Sequence, residues 1–334
     1  MDSTDTTVIP PPPPANPLVV GIDMAKDKFD LAFSDNTRPQ TLANDTGGIE
    51  QAVRQLAAST PALIVIESTG SLQRPLLNAL LEAQLPVALV HPGRVRHFAK
   101  GLGILAKTDR IDAAVLVRFG QLAAPRLSEK RSKNQIELQA LVVCRRQLCI
   151  TRVQQNNRLG STASKAAASS IKAVNKTLDH QIEKLDKQIR KLIDADGDFK
   201  HLDGLLQSVP GVGPVLSATL AAELPELGDT DRCQVGALAG VAPFNCDSGL
   251  LAGKRAIRGG RTSIRCVLYM ATMAATTHNP VIKAFSDRLK AAKKPNMVRI
   301  VACMRKLLTL LNAMVRDGLR WEQLDVAKKY LPQT

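Results

Sequence analysis

Short apolar runs separated by turns and amphipathic stretches fill the first third of the chain. LVVGIDM and KFDLAF, between Leu18 and Phe33, predict two strands joined by a tight turn, and QTLAN predicts a third. Helical and strand patterns then alternate: GGIEQAVRQLAAS (helix), ALIVIEST (strand, with Glu67 as its last charged residue), SLQRPLLNALLEAQ (helix), PVALVHP (strand) and KTDRIDAAVLVRFGQ (helix, from about Thr108). This order predicts a mixed α/β sheet covered by helices on both faces.

The pattern changes to long, charged helices from about Ser128 to Ile193. Its second half carries an apolar stripe at spacings of three and four, formed by Ile171, Val174, Leu178, Ile182, Leu185, Ile189 and Leu192. The segment NNRLGSTASKAAASS predicts a break between two helices. Such a stripe is typical of a coiled coil, and it fits a hairpin within one chain as well as a contact between chains.

A third, mainly helical region follows DADGD. LLQSVPGVGPVLSATLAAEL has the helix-hairpin-helix pattern, in which Gly211 and Gly213 would free backbone N–H groups to approach a DNA phosphate. A plain packing unit of two helices is the alternative. A loop, GVAPFNCDSGLLAGKRAIRGGRTSIR, comes next, and helices from about Thr262 to Val315 complete the pattern.

The predicted organisation therefore has four parts. They are a disordered Pro-rich tail (1–17), an α/β domain (18–127), a helical, coiled-coil-like region (128–196) and a mainly α domain (197–334). The fold class is α/β plus α.

Composition narrows the partners. The chain has 45 Lys and Arg against 30 Asp and Glu, a net charge of +15. This charge favours a protein that binds nucleic acid over a soluble protein that is merely basic. Aromatic residues make up only 3%, so phosphate contacts are expected to dominate over base stacking. Arg145, Arg146 and Arg152, on the first long helix, are candidates for such contacts, although a charge run is more often a solvated face.

The sequence also excludes some classes. No apolar run is long enough to span a membrane, and the start lacks the pattern of a signal peptide. The six cysteines show no CxxC or zinc spacing, which predicts reduced thiols. A bacterial cytoplasmic protein, associated with the nucleoid when active, is the expectation.

Four acids stand at the edges of predicted elements: Asp23, Glu67, Asp109 and Asp112. Taken singly, Asp23 fits a turn, and Asp109 or Asp112 fits an acid that stabilises a helix N-terminus. Brought together at one edge of a sheet, they would repel one another unless cations lay between them. Oxygen ligands favour Mg²⁺, and two such ions about 4 Å apart can hold both oxygens of a phosphodiester displacement.

These motifs carry a family resemblance. An acid on the first strand, one ending the fourth and acids on the last helix of the domain resemble the ribonuclease-H-like (RuvC-like) fold of Holliday-junction resolvases. More closely, the chain resembles the DEDD transposases of the insertion-sequence-110 family, in order from Leu18 to Arg316. The motifs are GIDMAKDKFDLAF, IESTG, HPGRVRHFAKGLGILAKTDRIDAAVLVRF, SVPGVGPVLSATLAAELPELG and LAGVAPFNCDSGLLAGKRAIRGGRTSIRCVLYMATMAA. The resemblance implies that the four acids form a metal-binding tetrad.

The resemblance also implies a nucleophile. Ser248, in the DSG that would otherwise be an ordinary turn, matches the serine that forms a phosphoserine link to the cut strand in relatives. Basic residues that follow it are expected to hold the scissile phosphate: Lys254, Arg255, Arg258, Arg261 and Arg265. Cys246 stands where many relatives carry a basic side chain, and a composite site between protomers is a hypothesis. His91 and His97 fit a structural role better than a catalytic one.

The leading interpretation is a transposase and site-specific recombinase acting on element ends and target DNA as a homodimer or tetramer. The resemblance further implies an element-encoded guide (bridge) RNA, for which the basic helices from Lys130 to Lys191 are a sensible binding region. A junction nuclease that uses only the four acids, without a covalent intermediate, is the alternative. An actin-like kinase, whose first strand pair GIDMAKDKFDLAF also resembles, fits poorly because the Gly-rich segments GVGP and RGGR lie far downstream in a basic helical context. A decayed, purely DNA-binding copy fits poorly because all five catalytic candidates are present.

Overall fold

The computed structural model describes residues 17–70, 72–104, 109–245, 253 and 255–323, with the backbone alone at 36–39 and 109–111. The chain divides into two compact units, 1–131 and 132–334. Nearly all of the predicted disordered tail, together with Thr108, lies outside the described residues. The segment from Cys246 to Ala252, which contains Ser248, and the neighbouring Lys254 also lie outside them.

A five-stranded mixed sheet forms the centre of the first unit. Its strands are β1 (Val19–Met24), β2 (Lys28–Phe33), β3 (Asn36–Ala43), β4 (Leu63–Glu67) and β5 (Val87–Val90). They lie in the order β3-β2-β1-β4-β5, with β1, β4 and β5 parallel and the β1–β2 and β2–β3 pairs antiparallel. The mixed sheet and each of its predicted strands are confirmed.

Helices cover both faces of this sheet, as predicted. They are α1 (Thr46–Ser59), α2 (Arg74–Glu82), α3 (Pro92–Gly101) and α4 (Asp109–Ala123). Alternate side chains of β1 divide between the faces, so that Val20 and Ile22 pack with α1 and α2 while Val19 packs with α3 and α4.

Helix α3 was not predicted from the sequence. The predicted order passes directly from β5 to α4, whereas α3 lies between them with Pro92 at its first position and His91 as its N-cap. Only Val95 and Ala99 are buried on this helix. That apolar face is too short and too interrupted by Arg and His to produce a clear helical period.

Two glycines determine how closely α4 approaches the sheet. A Cβ on Gly21 of β1 would lie 2.8 Å from the Cβ of Leu116, and closer still to the carbonyl oxygen of Ala113. A Cβ on Gly120 of α4 would lie 2.7 Å from Val19 and 2.8 Å from Val65. The helix therefore runs antiparallel to β1, with its first turns beside the carboxyl end of that strand.

The second unit consists almost entirely of helices. They are α5 (Lys133–Ser161), α6 (Lys165–Ala195), α7 (Gly197–Gln207), α8 (Pro214–Glu223), α9 (Arg232–Leu238), α10 (Thr262–His278), α11 (Pro280–Ala291) and α12 (Asn296–Asp317). Between α9 and α10 lies a small antiparallel ribbon of β6 (Pro243–Phe244) and β7 (Ala256–Ile257). A short 3-10 helix, Trp321–Gln323, follows α12.

The two long helices, α5 and α6, pack as an antiparallel hairpin within one chain, which is one of the two arrangements left open by the sequence. The predicted break is confirmed at residues 162–164, where Ser164 caps α6. The predicted stripe is wrong at one position. Val174 is 47% exposed, and Asn175 occupies the buried position instead, donating a hydrogen bond to Asn156 across the hairpin at 2.8 Å.

Helix α8 lies at the centre of the second unit. Every residue from Leu216 to Ala222 is buried. One side packs into a core formed with α7, α10 and α12, and the other contacts Leu138 and Ile189 of the hairpin. Because α8 is apolar all round, its burial on several sides is the expected outcome. No helix in the described parts of the chain is long and apolar enough to cross a membrane.

Candidate active site

Asp23 and Glu67 lie side by side at one edge of the sheet. The register of the parallel pair β1–β4 matches Gly21 with Val65 and Ile22 with Ile66. If this register is continued by one residue, Asp23 lies level with Glu67. Both side chains are half-buried and belong to the face that α4 covers.

Helix α4 brings Asp112 to the same edge. Asp112 precedes Ala113, whose carbonyl contacts the backbone of β1 at Gly21, two residues before Asp23. The Asp112 side chain is half-buried. Asp109 begins α4 one turn earlier, and its side chain lies outside the described atoms. Three described carboxylates thus come from β1, β4 and α4 to one end of the sheet.

A further acid lies on this face that was not among the predicted site residues. Asp30 of β2 is paired directly with Asp23 across the antiparallel β1–β2 ladder, so both side chains point to the same side of the sheet. Asp30 is buried, accepts a hydrogen bond from the Thr41 hydroxyl and lies 3.9 Å from the Lys28 ammonium. The sequence feature that could have identified Asp30 is its position as an acid within the apolar run KFDLAF.

These carboxylates fit a divalent cation by their chemistry. Carboxylate oxygens are preferred ligands of Mg²⁺, and acids gathered at one edge need positive charge between them. Among the side chains that the structure describes, which exclude Asp109, no group of three His, Cys, Asp or Glu residues is close enough to hold a metal.

The two histidines near this edge differ in their roles. His91 follows β5, whose last residue pairs with Glu67, and its Nδ1 accepts a hydrogen bond from the backbone N–H of Gly93 at 3.0 Å. It therefore caps α3, a structural function. His97 is exposed on that helix.

The basic loop around the predicted nucleophile is described only in part. The strands β6 and β7 precede and follow the segment that contains Ser248. Arg255 and Arg258 are exposed, and neither forms an ion pair with a described residue. Arg261 forms two hydrogen bonds of 2.6 Å to the Glu226 carboxylate, whereas Arg265 donates to the carbonyl of Gly259 at 2.8 Å.

The glycine-rich turn between α7 and α8 serves packing. Gly211 has φ +95° and a Cβ there would lie 2.6 Å from the Cα of Ala275 on α10. Gly213, the N-cap of α8, has an extended backbone and open space around its Cβ position. Two helices joined by a turn are thus present, and Gly211 is required by its contact with α10 whether or not DNA binds there. The phosphate contact expected of a helix-hairpin-helix stays a prediction.

The hairpin arginines expected to contact phosphates pair with acids of the protein. Arg145 and Arg152 of α5 pair with Asp186 and Asp179 of α6, the second pair at 2.8 Å. Burial lowers the pKa of Arg145, but hydrogen bonding and the charge of Asp186 outweigh it and raise the pKa overall.

The third of these arginines ties the hairpin to the central helix. Arg146 donates to Glu223 of α8 at 2.7 Å, and the same carboxylate accepts a hydrogen bond from Ser263 of α10. Arg145 and Arg146 also line a cleft of about 610 Å³, together with apolar residues such as Ile189, Val215 and Ala218.

Two protein-family models match this chain. A DEDD transposase model of the IS110 type matches residues 20–167, and a model described as the transposase IS116/IS110/IS902 family matches residues 203–287. Together they define an enzyme of the transposase and recombinase class, which cleaves and transfers DNA strands. The chain belongs to the IS110 family of transposases.

Relatives span nearly the whole chain. The pilin gene-inverting protein of Moraxella bovis is 32% identical over 318 residues, which is 90% of this chain and 96% of the relative. The transposase for insertion sequence element IS1111A of Coxiella burnetii is 22% identical, covering 78% of each chain. Among solved structures, Thermus thermophilus RuvC in complex with a Holliday junction substrate matches 33% of this chain and 95% of its own, with 15% identity and a TM-score of 0.25.

Proposed function

We propose that this protein is a site-specific DNA recombinase that cuts and rejoins strands through Ser248, with Mg²⁺ held by Asp23, Glu67, Asp109 and Asp112. The observation that carries the proposal is the approach of α4 to β1 at Gly21, which gathers acids from three elements at one edge of the sheet. A ribonuclease-H-like arrangement is inferred from the strand order β3-β2-β1-β4-β5.

The acids and the serine have separate roles. The carboxylates hold the cation, which when bound polarises the phosphodiester and lowers the pKa of a nearby hydroxyl. The hydroxyl oxygen of Ser248 bonds to phosphorus, loses its proton and displaces one DNA oxygen, which leaves as a hydroxyl after taking up a proton. A phosphoserine remains and preserves the energy of the broken bond. Attack by another strand's hydroxyl then restores the serine and rejoins DNA.

The basic residues after Ser248 have unequal roles in this proposal. Arg255 and Arg258 are the better candidates for the scissile phosphate, since both are exposed and neither has an acidic partner among the described residues. Arg261 is engaged by Glu226, and Arg265 by backbone carbonyls. Lys254 remains a prediction from the resemblance.

An element-encoded guide RNA and an assembly of two or four chains complete the proposal. After the ion pairs of Arg145 and Arg152 are taken into account, exposed lysines of α6 are the cations of the hairpin best suited to RNA phosphates: Lys172, Lys176, Lys184, Lys187 and Lys191. An assembly is expected because recombination handles several strands at once. The relatives named for inversion of a pilin gene support rejoining rather than hydrolysis alone.

A covalent protein–DNA adduct tests the nucleophile and the acids. Purified protein, with and without co-expressed RNA, is incubated with labelled element-end DNA and Mg²⁺ or a chelator, then separated on a denaturing gel. We expect an adduct with wild type that is absent in Ser248→Ala, in Asp23→Ala and with chelator, because each removes the nucleophile or the metal.

Matched controls keep this result interpretable. Cys246→Ala changes a side chain two residues from the serine. Asp35→Ala removes an exposed acid that follows the end of β2, whereas Asp30 lies near the start of that strand. The Cys246→Ala and Asp35→Ala variants should both form the adduct as wild type does. Cleavage without an adduct that persists in Ser248→Ala would instead identify a metal-dependent nuclease. An adduct recovered on mixing the Asp23→Ala and Ser248→Ala proteins would show that the active assembly contains more than one chain.

A further inference from the structure

A dense group of positive charges lies at the turn between α11 and α12. Residues 283–299 contain six basic residues and a single acid, Asp287. The basic residues are Lys283, Arg288, Lys290, Lys293, Lys294 and Arg299. Neither the motifs nor the proposed catalytic roles use this group.

Its charge is not neutralised by the protein, unlike that of three arginines of the α5–α6 hairpin. The hairpin arginines Arg145, Arg152 and Arg190 each pair with an aspartate. In the described part of the chain, by contrast, no carboxylate oxygen lies within 4.0 Å of any of the six basic groups at the α11–α12 turn. All six basic groups at the α11–α12 turn therefore keep their charge after folding, whereas these three arginines of the hairpin do not.

The partners that these cations do have are neutral. Arg299 donates to the Ser286 hydroxyl at 3.1 Å and to the Asn296 amide oxygen at 2.6 Å, and Arg288 lies over the Phe285 ring. Such interactions orient a guanidinium without cancelling its charge. Burial, and then the charge of Arg288, lower the pKa of Lys306 on α12, as expected beside an uncompensated cation.

The turn is also accessible. All residues from Lys290 to Val298 are exposed, and Lys293 has φ +52°, which turns the chain sharply between the helices. One basic residue in the last turn of α11, such as Arg288, is sufficient to complement the helix dipole there. Lys293 and Lys294 lie beyond that helix and add charge which its dipole does not require.

We propose that the α11–α12 turn is a contact surface for the phosphate backbone of duplex DNA. Lysine ammonium groups are compact charges that bind phosphate oxygens without reading bases, so this surface would add affinity and orientation rather than sequence preference. It would act apart from the residues that follow Ser248. The inference rests on the proposed function only in taking DNA as the substrate, and it requires no cleavage.

Binding to a 30-base-pair duplex of arbitrary sequence at several salt concentrations tests this surface. The variant Lys290→Gln/Lys293→Gln/Lys294→Gln removes three exposed charges, none of which forms an ion pair with a described residue. We expect about tenfold weaker binding at low salt, because phosphate neutralisation supplies most of the affinity for a duplex of arbitrary sequence. The slope of log affinity against log salt should become shallower by about 0.9 for each phosphate that the protein no longer neutralises.

A control of equal charge is available outside the proposed nucleic-acid surfaces. Arg54→Gln/Arg74→Gln/Lys200→Gln also removes three exposed positive charges, from α1, α2 and α7, and none of them forms an ion pair with a described residue. It should bind the duplex nearly as well as wild type. Equal losses of affinity in the two triple variants would overturn the proposal, since net charge alone would then account for binding. An unchanged salt slope in the α11–α12 variant would also overturn it.

Two more measurements distinguish DNA binding at this turn from a folding defect and from binding of a different partner. Thermal unfolding of the α11–α12 variant should match wild type, which excludes misfolding as the cause of weaker binding. If that variant loses binding to anionic lipid vesicles or to single-stranded RNA while duplex binding is unchanged, the surface serves another partner and the proposal is wrong. Because binding is measured without Mg²⁺, failure of the adduct experiment would leave this result intact.

Discussion

Gly21 links the packing of the sheet to the position of the acids. It lies two residues before Asp23, and the absence of a Cβ lets the α4 backbone at Ala113 contact β1 directly. A larger residue would push the first turn of α4 outward and move Asp112 with it. In the linear sequence this glycine could be interpreted only as part of a strand, because the requirement for it arises from a helix that begins 88 residues later.

Gly21→Ala should therefore destabilise the first unit and reduce DNA cleavage together. The new methyl group would meet backbone atoms that cannot rotate away, so we expect a loss of about 1–3 kcal/mol or more in the free energy of unfolding, measured by urea denaturation. Gly101→Ala is the control, since a Cβ there meets nothing within 4 Å. It should leave stability unchanged or slightly raised, and equal effects of the two changes would contradict the packing account.

The hairpin of α5 and α6 has one register, defined by polar pairs. Arg145 with Asp186, Arg152 with Asp179, and Asn156 with Asn175 follow at matching steps of seven and four residues along both helices. The buried seam of α6 passes through Asn175, which is four residues after Ile171 and three before Leu178. Val174 has the same two spacings in the reverse order, so spacing alone does not distinguish the two positions. The apolar pattern alone favoured the valine.

Asn175→Leu tests the role of this polar position. The Asn175 amide oxygen is buried with no hydrogen-bond partner among the described residues, so an apolar replacement should raise the free energy of unfolding by about 1 kcal/mol. Val174→Leu, on the exposed side, should change it by less than about 0.5 kcal/mol. A lower thermal midpoint for Asn175→Leu would show that the Asn156–Asn175 hydrogen bond is worth more than the burial it costs.

At the scale of the whole molecule, each unit has its own apolar core. The first contains clusters on both faces of the sheet, centred on residues such as Ile22 and Leu116. The second contains a large cluster around α8 and α12 and a smaller one where α8 meets the hairpin. A self-sufficient core is the physical condition for independent folding.

The fragment 132–334 should accordingly unfold in one cooperative transition by circular dichroism. A fragment 165–334 is the matched control, because it lacks α5 and would expose the apolar surface that Leu138 and Val142 cover. It should aggregate or unfold without cooperativity. A non-cooperative transition in the longer fragment would show that the second unit depends on the first.

Local pattern was sufficient to predict most elements of this protein. Strand alternation and helical periodicity act over a few residues, so the sheet, the two long helices and the final helices follow from the amino-acid pattern alone. The same pattern placed Asp23 and Glu67 near the ends of strands. The helix α3 escaped prediction because its buried face is only two residues wide.

Contacts between distant residues, by contrast, are set by tertiary packing. The need for Gly21 and Gly120, the pairing of Asp30 with Asp23, and the burial of Asn175 all depend on the approach of separate elements. Charge is the clearest case. The hairpin arginines are neutralised by aspartates far along the chain, while the lysines at the α11–α12 turn are not, because folding brings acids to the first group and none of the described acids to the second.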